Sequence, residues 1–459
     1  MTNNLKDISR NISGWGRNSQ AEVNFLKPDD EKELQEIIFN SEKISLIARG
    51  LGRSYGDAAQ LNNGSVINLN SFQHINLDIS KGTLKAGSGV SFENILKKII
   101  PQGFFIPVSP GTRNVTVGGA IAADVHGKNH HVNGSFGNHI INILLIDGLG
   151  EIKTLSPSKD ANKIEKDQFW ATIGGMGLTG VIIEATFSLI PIKTSKISVD
   201  TSRHRDLDSL MEEMINSDNK FQYSVAWLDT LNKRGRGILT CGNHAINEQL
   251  EKRADIENPL SYSPKSLASA PSFIPNGILN RLTVSAFNEA WFRKAPKLRK
   301  QELQEISNFF HPLDGIQEWN RIYGPKGFIQ YQYVVPDSSA SLIKESIEIF
   351  RKIGIPSFLS VLKRFGPENS AFLSFPKKGW TLAVDIPLSI PELHKTLFKL
   401  DIKVVEAGGR IYLAKDSRQS AEMFYLSYLK LNKWKIIQRK MDPKRIFCSD
   451  LAKRLKIIE

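Results

Sequence analysis

Four glycine-rich segments carry the first chemical signal: ARGLGRSYGD at 48–57, SPGTRNVTVGGAIAADVHGKNHH at 109–131, GSFGNH at 134–139 and IGGMGLTG at 173–180. Glycine lets backbone approach a ligand closely and leaves N–H groups free to face it, which suits a phosphate-bearing cofactor gripped by several loops. Two shorter patterns inside these segments point elsewhere. Gly175, Gly177 and Gly180 spell the dinucleotide fingerprint, which needs a strand before it and a helix after it; here helix-like DQFWATI precedes and strand-like VIIEATF follows. Gly52, Ser54 and Gly56 spell a serine hydrolase elbow, which needs a helix directly afterwards, whereas DAAQLNNGS turns within a few residues. His126, His130, His131 and His139 fall close together, but no carboxylate or thiolate stands beside them at ligand spacing. They read as a polar lining beside a cofactor, and no metal is expected.

The elements that must position these loops are mixed. Short β-branched runs at 44–50, 65–70, 142–148 and 180–190 read as strands, and 30–42 and 92–100 as helices, the second capped by Ser91. Beyond Pro191 a helix is expected at 207–217 and strands at 221–230, 328–335, 357–362 and 380–386, enough for a second, sheet-based unit. Residues 255–285, rich in Ser, Pro, Asn and Gly, read as a long mobile loop of functional type. The last helical stretch breaks at Asp442 and Pro443.

The chain has 459 residues, 41% hydrophobic and 23% charged, which excludes a disordered tail or a disulfide-stapled miniature and leaves room for two or three compact units. Cys241 and Cys448 are the only cysteines, too few for a thiolate zinc site, and read as structural. The N-terminus has no apolar core of signal-peptide length, and no run approaches the ~18 apolar residues of a spanning helix. A cytoplasmic protein is expected, peripheral at the inner face of a membrane if attached at all. Of the formal net charge of +13, residues 251–300 contribute nine basic against four acidic side chains, and 428–459 ten against three. Such concentration implies an anionic partner: nucleic acid, anionic lipid or a phosphorylated substrate.

Taken in order, ARGLGRSYGD, PGTRNVTVGGAIAADVHGKNHH, GSFGNH and FWATIGGMGLTG, with AKDSR near the C-terminus, resemble the vanillyl-alcohol-oxidase class of FAD enzymes, and the similarity runs from about Gly14 to Leu455. It implies an α+β, two-domain flavoprotein. The FAD domain would comprise 1–192 and 408–459, with a sheet-based substrate domain, 193–407, inserted between them. By the same resemblance Gly50, Leu51, Gly52, Arg53, Ser54, Tyr55 and Gly56, with Thr116, Val117, Gly118 and Gly119, wrap the pyrophosphate. Arg49, Gly111, Ala123, Asp124, Val125, His126, Ile182 and Tyr412 complete the FAD contacts. Many relatives attach the flavin through a histidine where this chain has Arg53; a guanidinium cannot form that bond, so non-covalent FAD is expected.

Lys415 matches a family lysine that reaches both flavin and substrate, and its ammonium suits the negative charge that builds on the flavin as hydride arrives. His126 and Tyr55 are candidates to orient the sugar hydroxyl or take its proton. On the substrate side the resemblance points to Trp227, Gln330, Gln332, Val361, Lys363 and Phe365, with Lys128 nearby. Gln330 and Gln332 share one strand face, as do Val361, Lys363 and Phe365. Ala383 stands where well-known members carry a cysteine attacked by nitroaromatic inhibitors, and Phe310 replaces a tyrosine. The branch most resembled oxidises the ribose C2 hydroxyl of a polyprenyl-phosphoryl-β-D-ribose, the first half of epimerisation to the arabinose form used in arabinan and cell-wall synthesis. A separate NADH-dependent short-chain reductase would complete it. Oxidation of a soluble alditol, sugar or aldonolactone is the alternative within the class, and no nucleic-acid partner is expected.

Overall fold

The computed structural model describes residues 8–41, 44–266 and 268–458. Its architecture is α+β, built on three larger sheets. The first is four-stranded and mixed, in the order Ile8–Ser13, Gln20–Leu26, Ser65–Asn68, Leu46–Arg49. The second is five-stranded and antiparallel: Ile75–Asp78, Thr83–Gly87, Val181–Ser188, Ile140–Ile146, Ile152–Leu155. The expected helix at 92–100 forms over Phe92–Ile99; the Ser91 side chain accepts from Asn94 N, and Phe92, Ile95, Leu96 and Ile99 enter the core. That at 30–42 forms over Glu31–Phe39, its last expected residue lying outside the described residues.

The third sheet has eight antiparallel strands: Leu298–Glu305, Lys196–His204, Gly237–His244, Tyr223–Leu228, Ser360–Phe365, Gly379–Pro387, Phe328–Val335 and Arg410–Ile411. Side chains alternate along it. Ala226, Leu228, Tyr331, Tyr333, Leu362, Leu382 and Val384 are buried with residues of the helices Leu207–Ser217, Ser341–Lys352 and Leu393–Glu406. The alternate positions face the opposite side.

Sequence periodicity places the helix Leu207–Ser217 and the strand Phe328–Val335 as found. The strand expected at 357–362 forms instead at Ser360–Phe365, because Ser357 N bonds to Ile355 O in a tight turn and delays the ladder. The stretch 255–285 is only partly loop: Asn280 caps a helix over Arg281–Lys294, accepting from Leu282 N and Thr283 N.

The C-terminal residues pack on the N-terminal sheets. Leu46 N donates to Ile446 O, Cys448 N to Leu46 O, and Trp434 Nε1 to Ala171 O. Arg454 bridges Asp57 and Asp416 with N–O distances of 2.8 and 2.9 Å, tying the first glycine loop to the Lys415 turn. Both carboxylates are nearly fully buried, so one guanidinium neutralises two charges that would otherwise be costly there. Cys241 and Cys448 are buried free thiols.

Candidate active site

A cavity of about 1430 Å³ lies where the glycine loops meet the free face of the eight-stranded sheet. That exceeds the ~300–1,000 Å³ of an ordinary small-molecule pocket, leaving room for a dinucleotide and a second ligand together. One wall is backbone. After the strand Leu46–Arg49 the chain turns at Gly52, whose φ of +64° a side chain rarely adopts. The Arg49 guanidinium closes the loop from behind, donating to Ser13 O and Ala59 O. Among the described residues, none accepts from the backbone N–H groups of Leu51, Gly52, Arg53 or Ser54, all of which line the cavity. A run of unsatisfied donors is what a pyrophosphate requires. The segment 116–119 differs: Val117 N already donates to Val90 O, Gly118 N to Ser88 O and Gly119 N to the Thr116 side chain. Gly118 and Gly119 therefore offer close approach but no free donor.

Ala123, Val125 and His126 reach the cavity because Asp124 between them does not. Its buried carboxylate accepts from Ser135 Oγ at 2.8 Å, Gly137 N at 2.9 Å, Asn369 Nδ2 at 2.8 Å and Ser374 Oγ at 2.5 Å. That clamp holds the backbone at φ +40°. Tyr412 OH donates to Ala123 O, Ile182 lies against the same space, and Gly111 borders it where a Cβ would meet nothing within 4 Å. Arg53 stacks its guanidinium on Trp15 at 3.9 Å, with Nε buried and unpartnered. The free loop donors, the unpartnered Arg53 Nε and an unpartnered Ser88 hydroxyl fit an anionic nucleotide cofactor.

The opposite wall is made of side chains from the sheet. Strand register sets Trp227 beside Val361, Val361 beside Ala383 and Ala383 beside Gln332, one row across four strands. Gln330 and Lys363 flank it, and Trp227 Nε1 is fixed on Phe358 O. Gln332 Nε2 contacts His126 Nε2 at 3.1 Å and Thr381 Oγ1 at 3.3 Å, so its carbonyl oxygen is left for a ligand. Burial, then the charges of Lys363, His130 and Lys415, hold His126 well below its ordinary range, so it is neutral.

Three lysines border this space. Lys128 donates to Phe309 O and lies over the Phe309 ring; burial brings it down to about 7. Lys363, with no carboxylate paired to it among the described residues, is brought down to about 8 by the same cause. Lys415 sits 3.6 Å above the Tyr55 ring, lowered chiefly by burial while Asp385 opposes the shift. Tyr55 is a neutral phenol, its ionisation suppressed by burial.

A family model described as an FAD binding domain matches residues 24–156, the part of the chain that supplies the first three glycine segments. Over its whole length the chain is 39% identical to decaprenylphosphoryl-beta-D-ribose oxidase of Mycolicibacterium smegmatis, all of which is covered. The chain belongs to the decaprenylphosphoryl-β-D-ribose oxidase family. It is an FAD-dependent oxidoreductase. More distant relatives of this oxidase family member include an L-gulono-1,4-lactone dehydrogenase of Mycobacterium tuberculosis, 20% identical over 96% of this chain and 98% of that one. An FAD-linked oxidoreductase of Aspergillus niger is 25% identical over 41% of this chain and 39% of its own.

Within this decaprenylphosphoryl-ribose-oxidase fold, four residues expected at the cofactor or substrate stand behind the wall instead. Val117 is fully buried in the core, and Asp124 is the clamp described above. Gly56 packs against the Lys415 turn, where a Cβ would lie 2.0 Å from Asp416 O. Phe365 occupies the strand end beneath His126 and His130, with ring separations of 4.8 and 4.5 Å. The other expected residues, Arg49 to Tyr55, Thr116 and Lys128 among them, line the cavity. The clustered histidines diverge: His130 accepts from Gly366 N, while His131 and His139 bond to Phe221 O and Asn133 O. Ala383 and Phe310 both line the cavity. Sequence reading missed Trp15, whose stack on Arg53 crosses 38 positions, and Asp385. The alternation that puts Ala383 on the cavity face also puts Asp385 there.

Proposed function

We propose that this protein oxidises the C2 hydroxyl of a polyprenyl-phosphoryl-β-D-ribose to the 2-keto sugar, as the first half of an epimerisation to the arabinose form. The observation that carries the reading is the set of three half-buried lysines, Lys128, Lys363 and Lys415, around one sugar-sized end of the cavity. Lys128 and Lys363 have no carboxylate partner there. Desolvated cations are costly without an anion, and a phosphoryl group supplies it. A neutral aldonolactone or alditol does not.

The residues divide the work as follows. Leu51 to Ser54 and Arg53 hold the cofactor's pyrophosphate, Gly118, Gly119, Ala123, Val125, Ile182 and Tyr412 its rings, with no covalent bond. Bound FAD supplies the two-electron acceptor. Lys415 as an ammonium favours charge developing beside it. The Tyr55 phenol orients the C2 hydroxyl, and neutral His126 orients it or takes its proton. The free carbonyl of Gln332 accepts from a second hydroxyl, and Trp227 and Val361 exclude water. We take 1–192 and 408–459 as the FAD domain and 193–407 as the substrate domain.

The polyprenyl chain fits the apolar mouth, where Ile278, Phe287 and Trp291 are exposed yet border the cavity. The nearby basic excess suits an anionic membrane surface at which such a lipid resides. Among the described residues no helix is long and apolar enough to cross a membrane. The product, a 2-keto sugar, requires a separate nicotinamide-dependent reductase. Anaerobic mixing with polyprenyl-phosphoryl ribose should bleach the flavin absorbance; bleaching by free alditols or aldonolactones but not by the lipid would reverse the assignment.

A further inference from the structure

We propose that Asp385 is a positioning residue: it keeps Lys415 in its ammonium form and locks the Gln330 amide so that only its carbonyl oxygen faces the ligand. Asp385 is fully buried on the cavity-side parity of the strand Gly379–Pro387, directly opposite Gln330. Gln330 Nε2 donates to Asp385 Oδ1 at 2.5 Å and reaches Tyr55 OH at 3.4 Å. Both amide hydrogens are thereby engaged, and Oε1 is the group left toward the cavity. Tyr323 OH donates to the second carboxylate oxygen at 3.4 Å. With Lys415 on the face of the same Tyr55 ring, the four side chains form one unit at the floor of the site.

The electrostatics runs in one direction. Burial drives Lys415 toward the neutral amine and Lys363 pushes it further, while Asp385 is the group that opposes both. Burial likewise drives Asp385 up to about 7, while the Gln330 and Tyr323 bonds and the Lys415 charge favour its ionised form. The other titratable groups facing this unit are Tyr55 and Arg53 from the first loop, Tyr323, Asp314 and His126. None of these favours the Lys415 ammonium as the Asp385 charge does. Removing the carboxylate therefore lets Lys415 lose its proton at lower pH.

The inference rests on the proposed role of Lys415 beside the flavin, and its test separates the two. In FAD-loaded Asp385→Asn, the midpoint potential of the bound flavin is followed against pH beside wild type and Asp385→Glu. The break caused by Lys415 should move acidward by about one pH unit, tenfold in proton affinity, in Asp385→Asn and stay in place in Asp385→Glu. Flavin reduction by substrate should lose its alkaline side by the same shift. Should Asp385→Asn fail to retain FAD, Tyr323→Phe weakens the ionised carboxylate alone and should move the break the same way by less. An unmoved break in the variant that holds FAD overturns the inference. A break absent from wild type, or unaltered in Lys415→Ala, overturns instead the placement of Lys415.

Discussion

The two walls of the cavity solve opposite problems. The cofactor wall is backbone, with glycine turns and free N–H donors at Leu51 to Ser54. The sheet wall is side chain, with amides already committed to neighbours and lysines stripped of water. Backbone donors cannot be retuned by substitution, which suits a ligand that is always the same. A row of side chains on a rigid sheet can be exchanged one at a time, which suits a substrate that differs among relatives.

On this contrast, damage to the first wall should abolish cofactor binding and damage to the second should change rate or affinity with FAD retained. The largest effect is expected for Gly56→Val, because its Cβ would meet Asp416 O at 2.0 Å and push apart the loop and the Lys415 turn. The purified variant should be colourless, whereas wild type should release all its FAD on acid precipitation, showing no covalent bond. Lys415→Ala should keep its FAD and lose flavin reduction by ~10²–10³-fold, the usual scale for one electrostatic donor; normal bleaching would remove its assignment.

Lys363→Met deletes one desolvated cation from the sheet wall. The expected result is a KM higher by roughly tenfold, about 1.4 kcal/mol, with kcat little altered, the mark of ground-state binding. Its removal also relieves His126 and Lys128, which it holds down, so both should titrate higher, as NMR of His126 would show. The smallest effect is expected for Ala383→Cys. Turnover should stay within about twofold of wild type, since core-sized exchanges of this kind are mild. Covalent capture by a nitroaromatic inhibitor should nevertheless appear in mass spectra, because the variant supplies the thiol that alanine lacks.

Much of this was legible in order along the chain. The glycine segments point to a loop-held phosphate cofactor, and period-two alternation pairs Gln330 with Gln332 and Val361 with Lys363, both pairs lying on the cavity face of the sheet. Phe365 shows the limit: its parity is right, but the strand end tucks under His126, and parity says nothing about what covers a face. Asp385 shows the other limit. Its charge has meaning only beside Gln330, 55 positions away, and that neighbour is set by strand register.

Local chemistry therefore determined which segments turn, which faces are apolar, and which residue types stand ready for a phosphate-bearing cofactor. These properties depend on neighbours a few positions apart, and the residues state them directly. The tertiary structure alone decided that Leu51 to Ser54, and not Val117 to Gly119, keep their N–H groups free. It also decided that Arg454 spans to Asp57, and that one buried carboxylate sits within reach of Lys415's field. Hydrogen-bond satisfaction and desolvation depend on what long-range packing brings near, and in this chain the partners lie tens to hundreds of residues apart.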